Sequence, residues 1–449
     1  MGSVRVPKGL ALRDYQVKGV KHLMAGKRKL LLDDMGLGKT AQAIVAFNSL
    51  GAKRVLIICP PAVTLSWKEE IERWSVKTYK IHIVTKRLEN LPVADIIIVP
   101  FSLVAHHYIE SQLHSGSPWS VTIVDEIHYC KNPDAERTKA VMAPKRSLLS
   151  RSVFAWGLSG TLMTNTPDDL WPVFASMGRA HIGKYNTKAK FTKRYCIQVG
   201  KWPNLKIVGA RNLDELKGRL YDTGFALMRT KDNVLKELPA KQYRFLPIEP
   251  STKLTVSHKL LTNADFEDAS LGKDAGQLAE IRKEIGLAKV GAICRYAHTL
   301  LEDADKIIIF AWHKDVVEII RDELFIDDVK AVTYYGPMSP KKKELAKQQF
   351  INDPKTKVFI GNITSAGTGL NGLQAVCSHA MFGECPWTYT EIAQATDRLH
   401  RFGQQRPVLA DMIVLSGSIE EYVVRKVLEK EGYFNKTFGT QRKLLRKKL

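Results

Sequence analysis

The sequence has few cysteines, no long apolar run and a shortage of acidic residues. Its six cysteines in 449 residues form no CxxC pair, so no disulfide framework is expected. The longest apolar stretches, around Ile97 and Ile308, have strand length and fall far short of the about 20 residues that a membrane-spanning helix needs. The amino-terminal segment MGSVRVPKGL has no apolar signal-peptide core. We therefore expect a protein of a reducing compartment, cytoplasmic or nuclear, without membrane association.

The shortage of acidic residues leaves a strong positive charge. Lys and Arg total 68 against 46 Asp and Glu, so the formal net charge is +22. A field of this size favours a polyanionic partner, although the same excess is compatible with a role in solubility alone. Apolar residues make up 45% and charged residues 25%, which excludes a disordered or collagen-like chain. The length predicts two or three domains.

Short β-branched runs alternate with stretches of helical spacing along most of the chain. The runs fall into two sets, 29–160 and 306–415. Such alternation is typical of parallel sheets covered by helices on both faces, so we predict an α/β protein with two doubly wound lobes. The predicted strands are 29–34, 54–60, 94–100, 120–126, 154–160, 306–312, 330–336, 357–362, 379–384 and 408–415.

The composition changes between the two sets of strands. Residues 177–225 are polar and basic with few strand runs, and residues 251–303 have helical character without a strand signal. Both are interpreted either as connecting helices or as helical insertions that shape a partner-binding cleft. Three prolines in 235–250 predict an inter-lobe linker. We therefore assign 1–234 to the first lobe and 251–449 to the second, whose basic residues 436–449 form a nucleic-acid arm or a solvated tail.

The first predicted strand is followed by the segment DDMGLGKT and then by a helical stretch. Gly36 and Gly38 allow backbone N–H groups to converge on phosphate oxygens at the amino end of a helix. Lys39 is expected to reach the terminal phosphates, and the Thr40 hydroxyl is expected to bind Mg²⁺. The general GxxxxGK[ST] pattern requires glycine where Asp33 stands, so this pattern is only partly met.

A second segment, SVTIVDEIH, is an apolar strand that ends in Asp125 and Glu126. The carboxyl ends of strands are where open α/β sheets bind their ligands. Asp125 is predicted to hold Mg²⁺, directly or through water, and Glu126 to orient and deprotonate the attacking water. Adjacent acids at a strand end also occur in surface turns, but together with the phosphate loop they predict nucleotide hydrolysis.

A third segment, EIAQATDRLHRFGQQRP, lies within the second set of strands. On a helix, Gln394, Arg398 and Arg401 recur at spacings of four and three and would share one face. Surface arginines on helices are usually only solvated. An arginine pair that faces the inter-lobe cleft would instead stabilise the γ-phosphate transition state, and only when the lobes close.

Taken in order, these motifs resemble the Swi/Snf-type DNA translocases, helicase-related ATPases of superfamily two, from about Leu12 to about Leu428. LRDYQVKGV resembles the adenine-recognising segment of that family, DDMGLGKT its own version of motif I, and DEIH its DEAH box with Ile127 in place of alanine. CPPAVTLSWKEEIERW resembles motif Ia, LSGTLMTNTPDDLW the coupling motif, and MRTKDNVLKELPAK the signature between the lobes. In the second lobe, FAWHKDVVEII, ITSAGTGLNGLQA and QATDRLHRFGQ resemble motifs IV, V and VI.

The resemblance implies two RecA-like lobes with short helical insertions, ATP and Mg²⁺ as cofactors, and a DNA-dependent ATPase that translocates along duplex DNA and remodels protein–DNA or branched DNA structures. The alternatives are a strand-separating helicase or an annealing, fork-remodelling motor acting on single-stranded or branched DNA, and a catalytically inactive DNA-binding scaffold. The family default is a monomeric motor, here expected in the cytoplasm of a bacterium or its phage, or in the nucleus of a eukaryote.

The resemblance also implies a role for each matching residue. The implied catalytic residues are Lys39, Asp125, Glu126, Arg398 and Arg401, and the implied metal ligands are Thr40 and Asp125. The implied ATP-binding residues are Arg13, Gln16, Met35, Gly36, Leu37, Gly38, Lys39, Thr40 and Gln394. The implied coupling or DNA-facing residues are Trp67, Lys68, Ser159, Thr161, Thr364, Ser365 and Gly367.

Overall fold

The computed structural model describes residues 3–163, 166–200, 205–249, 275–363, 370 and 372–438. The chain divides between Lys236 and Glu237 into two compact units, except that the end of the last helix, from Tyr433, is grouped with the first unit. Each unit is built on its own parallel sheet, so the predicted α/β fold with two doubly wound lobes is confirmed. All six cysteines are buried and free. None of the helices in these residues combines the length and the apolar character that crossing a bilayer requires.

The first unit contains a sheet of seven parallel strands and a separate antiparallel hairpin. Its strands are β1 (Arg28–Leu31), β2 (Val55–Cys59), β3 (Ile81–Ile83), β4 (Ile96–Pro100), β5 (Trp119–Asp125), β6 (Ser152–Leu158), β7 (Cys196–Val199), β8 (Lys206–Ala210) and β9 (Ala226–Leu227). The sheet has the order β3-β4-β2-β5-β6-β1-β9, and β7 pairs with β8 in the hairpin. Every residue of β2 and β4 is buried, as expected for a parallel sheet covered on both faces.

The helices of the first unit connect these strands. They are α1 (Asp14–Met24), α2 (Lys39–Ser49), α3 (Thr64–Trp74), α4 (His107–Leu113), α5 (Glu136–Met142), α6 (Trp171–Val173), α7 (Lys188–Tyr195), α8 (Leu213–Tyr221) and α9 (Lys231–Val234). Apolar residues of α1, α2 and α3 form one core cluster with the strands, including Val20, Phe47 and Trp67.

The second unit contains a sheet of six parallel strands. Its strands are β10 (Lys241–Ile248), β11 (Ile307–Ala311), β12 (Ala331–Tyr334), β13 (Val358–Asn362), β14 (His379–Phe382) and β15 (Val408–Leu415). They lie in the order β10-β15-β14-β11-β13-β12. The helices are α10 (Ala275–Asp303), α11 (Lys314–Ile326), α12 (Pro340–Asn352), α13 (Tyr389–Thr396) and α14 (Ile419–Phe438).

The ten predicted strands are all present, but the segment predicted as a linker is partly a strand. Lys241–Ile248, within the predicted linker 235–250, form β10 and pair in parallel with β15 along their whole length. Of the prolines that suggested a linker, Pro247 lies within β10, which is an edge strand, a position where proline is tolerated. The second sheet therefore begins before residue 251, earlier than predicted.

The two predicted insertions also differ from expectation. Within 177–225 the structure contains the β7–β8 hairpin in addition to helices. The hairpin was hard to predict because its strands are short and mix polar with apolar residues. The described part of 251–303 is the single helix α10, whose Ile293 and Ala297 are fully buried in the core of the second unit. This helix is therefore a core element rather than an insertion. Residues 250–274 and most of the predicted basic tail, 439–449, lie outside the described residues.

Candidate nucleotide site

Neighbouring strands of the first unit bring the predicted catalytic segments to one edge of its sheet. β6 pairs with β5 on one side and with β1 on the other, and all three are parallel. The phosphate loop follows β1, the two acids end β5, and Ser159 follows β6. Because parallel strands that pair in this way end at the same edge, the topology assembles one site from three separate motifs.

The phosphate loop has the backbone conformation that its glycines predict. Gly36 has a φ of 84°, and Gly38 has a φ of 74° and occupies the position before the first residue of α2. This φ is strained for any residue with a side chain, and a Cβ on Gly38 would also displace the Gln16 side chain, whose nitrogen would lie 2.5 Å away. The ammonium of Lys39 donates to the carbonyl oxygens of Asp33 and Asp34 at 2.7 and 3.3 Å. The loop therefore has the left-handed residues and the helix amino terminus of a phosphate-binding site.

The predicted adenine-recognising segment contacts this loop directly. The Gln16 side chain donates from Nε2 to the carbonyl of Leu37 at 3.2 Å and accepts from the backbone N–H of Arg13 at 2.9 Å. The side chains of Met35 and Leu37 are buried among the described residues. These two residues can therefore contact a ligand only through their main chain. Reading of the base by Gln16 stays a prediction.

Asp33 has a defined structural role that the general phosphate-loop pattern does not explain. Its carboxylate is fully buried and forms a two-pronged ion pair with Arg229, whose Nε lies 2.8 Å from Oδ1 and whose Nη2 contacts Oδ2. Gln42 of α2 donates to the same carboxylate at 3.1 Å and accepts from Arg229 at 2.9 Å. A bidentate arginine–carboxylate pair is strong and geometrically specific, so it fixes the start of the loop. Sequence reasoning did not assign Arg229 to the site, although the inter-lobe signature MRTK contains it.

Asp125 is held in place by a tryptophan. The indole Nε1–H of Trp67, on α3, donates to Oδ2 of Asp125 at 2.8 Å, while Oδ1 accepts from the backbone N–H of Glu126 at 3.1 Å. Burial raises the pKa of Asp125 to about 6, the adjacent charge of Glu126 adds to the rise, and the Trp67 bond and the charge of Lys39 oppose it. The indole bond therefore favours the ionised carboxylate that a metal ion requires.

Glu126 adopts a strained backbone and is held by polar groups from two segments. Its φ is 51°, in the left-handed region that a residue with a side chain rarely occupies. Ser159 donates from Oγ to Oε2 of Glu126 at 3.3 Å, and Nδ1 of His128 lies 3.0 Å from Ser159 Oγ and 3.2 Å from that carboxylate oxygen. The backbone N–H of Thr161 also donates to Ser159 Oγ, at 3.1 Å. This network joins the acid motif to the coupling motif, and sequence reasoning gave His128 no role in it.

The residues predicted to be coupling or DNA-facing differ in exposure. Trp67, Ser159 and Thr161 are at most 1% exposed. Trp67 contacts Asp125 and Ser159 contacts Glu126, as a coupling role requires. Lys68 is exposed and lies 3.9 Å from Glu72 on the same helix, and its contact with DNA stays a prediction. Thr364, Ser365 and Gly367 lie outside the described residues.

The predicted arginine helix of the second unit is shorter than expected. α13 ends at Thr396, and the chain continues through tight turns, with the backbone N–H of Arg398 donating to the carbonyl of Ala395 at 3.2 Å. Gln394 is on the helix and the two predicted arginines follow it, so their assignment to one helical face is wrong. The guanidinium of Arg401 donates to the carbonyl of Leu370 at 3.4 Å. Burial lowers its pKa to about 10, and the neighbouring charge of Arg398 adds to this effect, so Arg401 is a cation at neutral pH.

The donor set of the first unit fits ATP with Mg²⁺. Backbone N–H groups at a left-handed turn and a lysine ammonium are suited to phosphate oxygens. The Thr40 hydroxyl and the Asp125 carboxylate are the hard oxygen ligands that Mg²⁺ prefers. The nearby charge of Lys39 lowers the pKa of Asp125, opposing the rise caused by burial.

Residues 15–285 match the model of the SNF2-related domain, and residues 288–403 match that of the helicase conserved C-terminal domain. The chain belongs to the SNF2-related family. The resemblance inferred from its motifs is therefore confirmed.

Two curated relatives show how this SNF2-related chain compares with longer proteins. It is 30% identical to the SWI/SNF-related matrix-associated actin-dependent regulator of chromatin subfamily A-like protein 1 of Xenopus tropicalis, over 94% of this chain and 44% of that protein. It is 28% identical to the DNA annealing helicase and endonuclease ZRANB3 of Mus musculus, over 88% of this chain and 37% of that protein. The chain thus spans less than half the length of either relative. A solved structure, the Sulfolobus solfataricus SWI2/SNF2 ATPase core in complex with dsDNA, is 23% identical with a TM-score of 0.46 and 96% coverage of both chains.

In this SNF2-related chain Ile127 follows the two acids, and its side chain packs where the adjacent strand has a glycine, Gly157. A Cβ on Gly157, in β6, would lie 2.4 Å from Cδ1 of the buried Ile127. We expect Gly157→Ala to lower the free energy of unfolding by about 1–3 kcal/mol because it overpacks this contact. Urea denaturation followed by tryptophan fluorescence measures the change.

The matched test is the same substitution in an Ile127→Ala chain. There Gly157→Ala should cost less, because the Ile127 methyl group has been removed and the main remaining contact of the new Cβ is with Cδ2 of Leu30, at 2.7 Å. Equal effects in both backgrounds would show that the two residues do not interact.

Trp67→Phe removes the indole N–H from Asp125 while keeping an aromatic ring in the core. A hydrogen bond to a charged group contributes about 1.5–3 kcal/mol, so we expect kcat for ATP hydrolysis to fall about tenfold or more, with ATP affinity nearly unchanged. Steady-state kinetics and a nucleotide-binding titration measure the two quantities. Trp74→Phe, at the other end of α3, is the control and should leave kcat within twofold. Equal losses in both variants would indicate a packing defect only.

Proposed function

We propose that the chain is an ATP-dependent motor that hydrolyses ATP on binding DNA, translocates along duplex DNA and thereby remodels protein–DNA or branched DNA structures. The observation that supports hydrolysis most directly is the convergence of the phosphate loop, Asp125, Glu126 and Ser159 at one edge of the first sheet. A net charge of +22 supports a polyanionic partner.

Each residue of the site has a proposed step. The ammonium of Lys39 and the backbone N–H groups of the loop bind and orient the phosphates. Thr40 and Asp125 hold Mg²⁺, which, when bound, neutralises charge on the phosphate oxygens. Glu126 orients the attacking water and accepts its proton at Oε2, the atom that Ser159 and His128 hold in place.

The alternative of an annealing or fork-remodelling motor has one specific observation in its favour. One relative, over 88% of this chain, is named a DNA annealing helicase and endonuclease. Since this chain covers only 37% of that protein, the likeness leaves the substrate to be tested. Both alternatives share the ATPase step and differ in the DNA that stimulates it.

Stimulation by different polymers separates these functions. We expect the ATPase rate to rise strongly with double-stranded DNA, less with single-stranded DNA and least with RNA, and to fall steeply across a salt series because phosphate contacts dominate. Lys39→Ala and Glu126→Gln should abolish turnover under every condition. Stimulation mainly by single strands would favour a strand-separating helicase, and turnover in either variant would contradict the site assignment. No stimulation by any polymer would contradict the DNA-dependent motor.

The arginine-finger assignment remains a prediction about the second unit. Arg401→Ala should leave ATP binding nearly intact and lower kcat by about 10³–10⁵, because a finger acts on the transition-state charge. The exposed Arg406, in the same segment, provides the control variant Arg406→Ala, which should keep wild-type turnover. Loss of ATP binding, or survival of hydrolysis, in the Arg401 variant would exclude the finger role. The monomeric state and the compartment stay predictions.

A further inference from the structure

The segment that opens the second unit contacts the predicted arginine segment at two points. Lys241, the first residue of β10, donates from Nζ to Oδ1 of Asp397 at 2.9 Å. Two residues earlier, the carbonyl oxygen of Pro239 accepts from Nε2 of His400 at 2.8 Å. Residues 239–241 therefore take part in the arrangement of the arginine segment, although the sequence predicted them only as part of a linker.

The two contacted residues adjoin the two predicted arginines. Asp397 precedes Arg398, and His400 precedes Arg401. Asp397 and His400 are buried, with 7% and 4% of their areas exposed. A contact that fixes a buried residue also restricts the backbone of its neighbour, so the segment 239–241 constrains the point from which each guanidinium extends.

These contacts act where the helix no longer holds the chain. α13 ends at Thr396, whose carbonyl accepts from the backbone N–H of Leu399 at 3.0 Å and of His400 at 3.1 Å, as in short turns. Gln404 closes the segment, because its side-chain nitrogen donates to the carbonyl of Cys377 at 2.9 Å. Outside a helix the regular bonds between residues four apart are lost, so side-chain contacts decide where the arginines lie.

The ion pair between Lys241 and Asp397 is largely shielded from water. The exposed fraction of the side chain is 22% for Lys241 and 9% for Asp397. Burial acts against the charged form of Lys241, but the charge of Asp397 outweighs it and holds the pKa of the ammonium above its ordinary value. The ammonium also lies 5.5 Å from the ring centre of the buried Tyr243. Because separating two poorly hydrated charges is costly, the pair favours a single geometry.

We propose that Lys241 is a positioning residue for ATP hydrolysis, which places the two arginines for the transition state through its ion pair with Asp397. This inference rests on the proposed arginine finger and extends it to a residue outside the arginine segment. A reacting or stabilising group that is misplaced by about 1 Å loses on the order of 100-fold in rate, whereas ATP binding, which is proposed for the first unit, should change little.

The first variant is Lys241→Met, which keeps most of the side-chain length but removes the charge. We expect kcat for DNA-stimulated ATP hydrolysis to fall about 10–100-fold, with the affinity for ATP changed by less than about twofold. Lys241→Arg keeps the charge and should restore kcat to within about threefold of the wild-type value. Steady-state kinetics and a nucleotide-binding titration measure the two quantities.

Lys330→Met is the matched control. Nζ of Lys330 lies 2.7 Å from Oδ2 of Asp353, so this ion pair belongs to the same unit but lies outside the arginine segment. The control should leave kcat within about twofold of the wild-type value.

A double variant separates positioning from stability. Lys241→Met combined with Asp397→Asn removes both charges, so the thermal unfolding midpoint should return towards that of the wild type. The value of kcat should nevertheless stay about as low as in Lys241→Met, because the bond that positions the arginines is still missing. In an Arg401→Ala chain, Lys241→Met should lower kcat by a much smaller factor, because one of the positioned arginines is already absent.

Three outcomes would overturn the proposal. They are wild-type kcat in Lys241→Met, recovery of kcat together with thermal stability in the double variant, and equal factors with and without the Arg401 side chain. A failure of the proposed function is recognised before Lys241 is changed, because then no DNA stimulates the wild-type protein or Arg401→Ala keeps wild-type turnover.

Discussion

The pairing of β6 with both β5 and β1 is the constraint on which the site depends. These strands are parallel, so residues far apart in sequence reach the same edge: the phosphate loop after β1, the acids at the end of β5 and Ser159 after β6. No single motif is sufficient, since glycine-rich turns and adjacent acids are common separately. The pairing of the three strands brings the motifs together into one site. The buried ion pair between Asp33 and Arg229 then holds the start of the phosphate loop in place.

Helix α3 offers a physical route by which a surface contact reaches the chemistry. On its buried side Trp67 donates to Asp125, and the next residue, Lys68, is exposed. A polyanion that attracts Lys68 would act on the same helix whose indole is bonded to Asp125. Since this indole bond lowers the pKa of the buried carboxylate, a displacement of α3 would weaken that effect.

The strength of the sequence signal decided what could be predicted. Every β-branched run became a strand, because buried parallel strands need continuous apolar residues, and the phosphate loop and both acids were identified from residue chemistry alone. The hairpin and β10 were missed because their residues are partly exposed and mix polar with apolar side chains, which weakens the periodic signal. The prediction that Gln394, Arg398 and Arg401 share one helical face was wrong because it assumed a helix that continues past Thr396, where the helix ends. Arg229 and the inward orientation of Trp67 required three-dimensional information, since each contacts a partner distant in sequence.

The contact between Ile127 and Gly157 explains how an unusual residue beside the acids is compatible with an intact site. Isoleucine is larger than the alanine of the DEAH pattern, and added volume in a packed core usually displaces its neighbours. Here Gly157 on the adjacent strand has no side chain, and a Cβ at that position would lie 2.4 Å from Cδ1 of Ile127, so the isoleucine occupies space that a larger residue at 157 would need. Glu126, beside it, has a left-handed backbone and contacts Ser159. The larger side chain of isoleucine is therefore accommodated in the core beside β6 rather than next to the carboxylates. Whether position 127 can hold isoleucine thus depends on packing between strands, whereas the acids depend on the polar groups at the end of the sheet. A sequence pattern alone does not separate these two requirements.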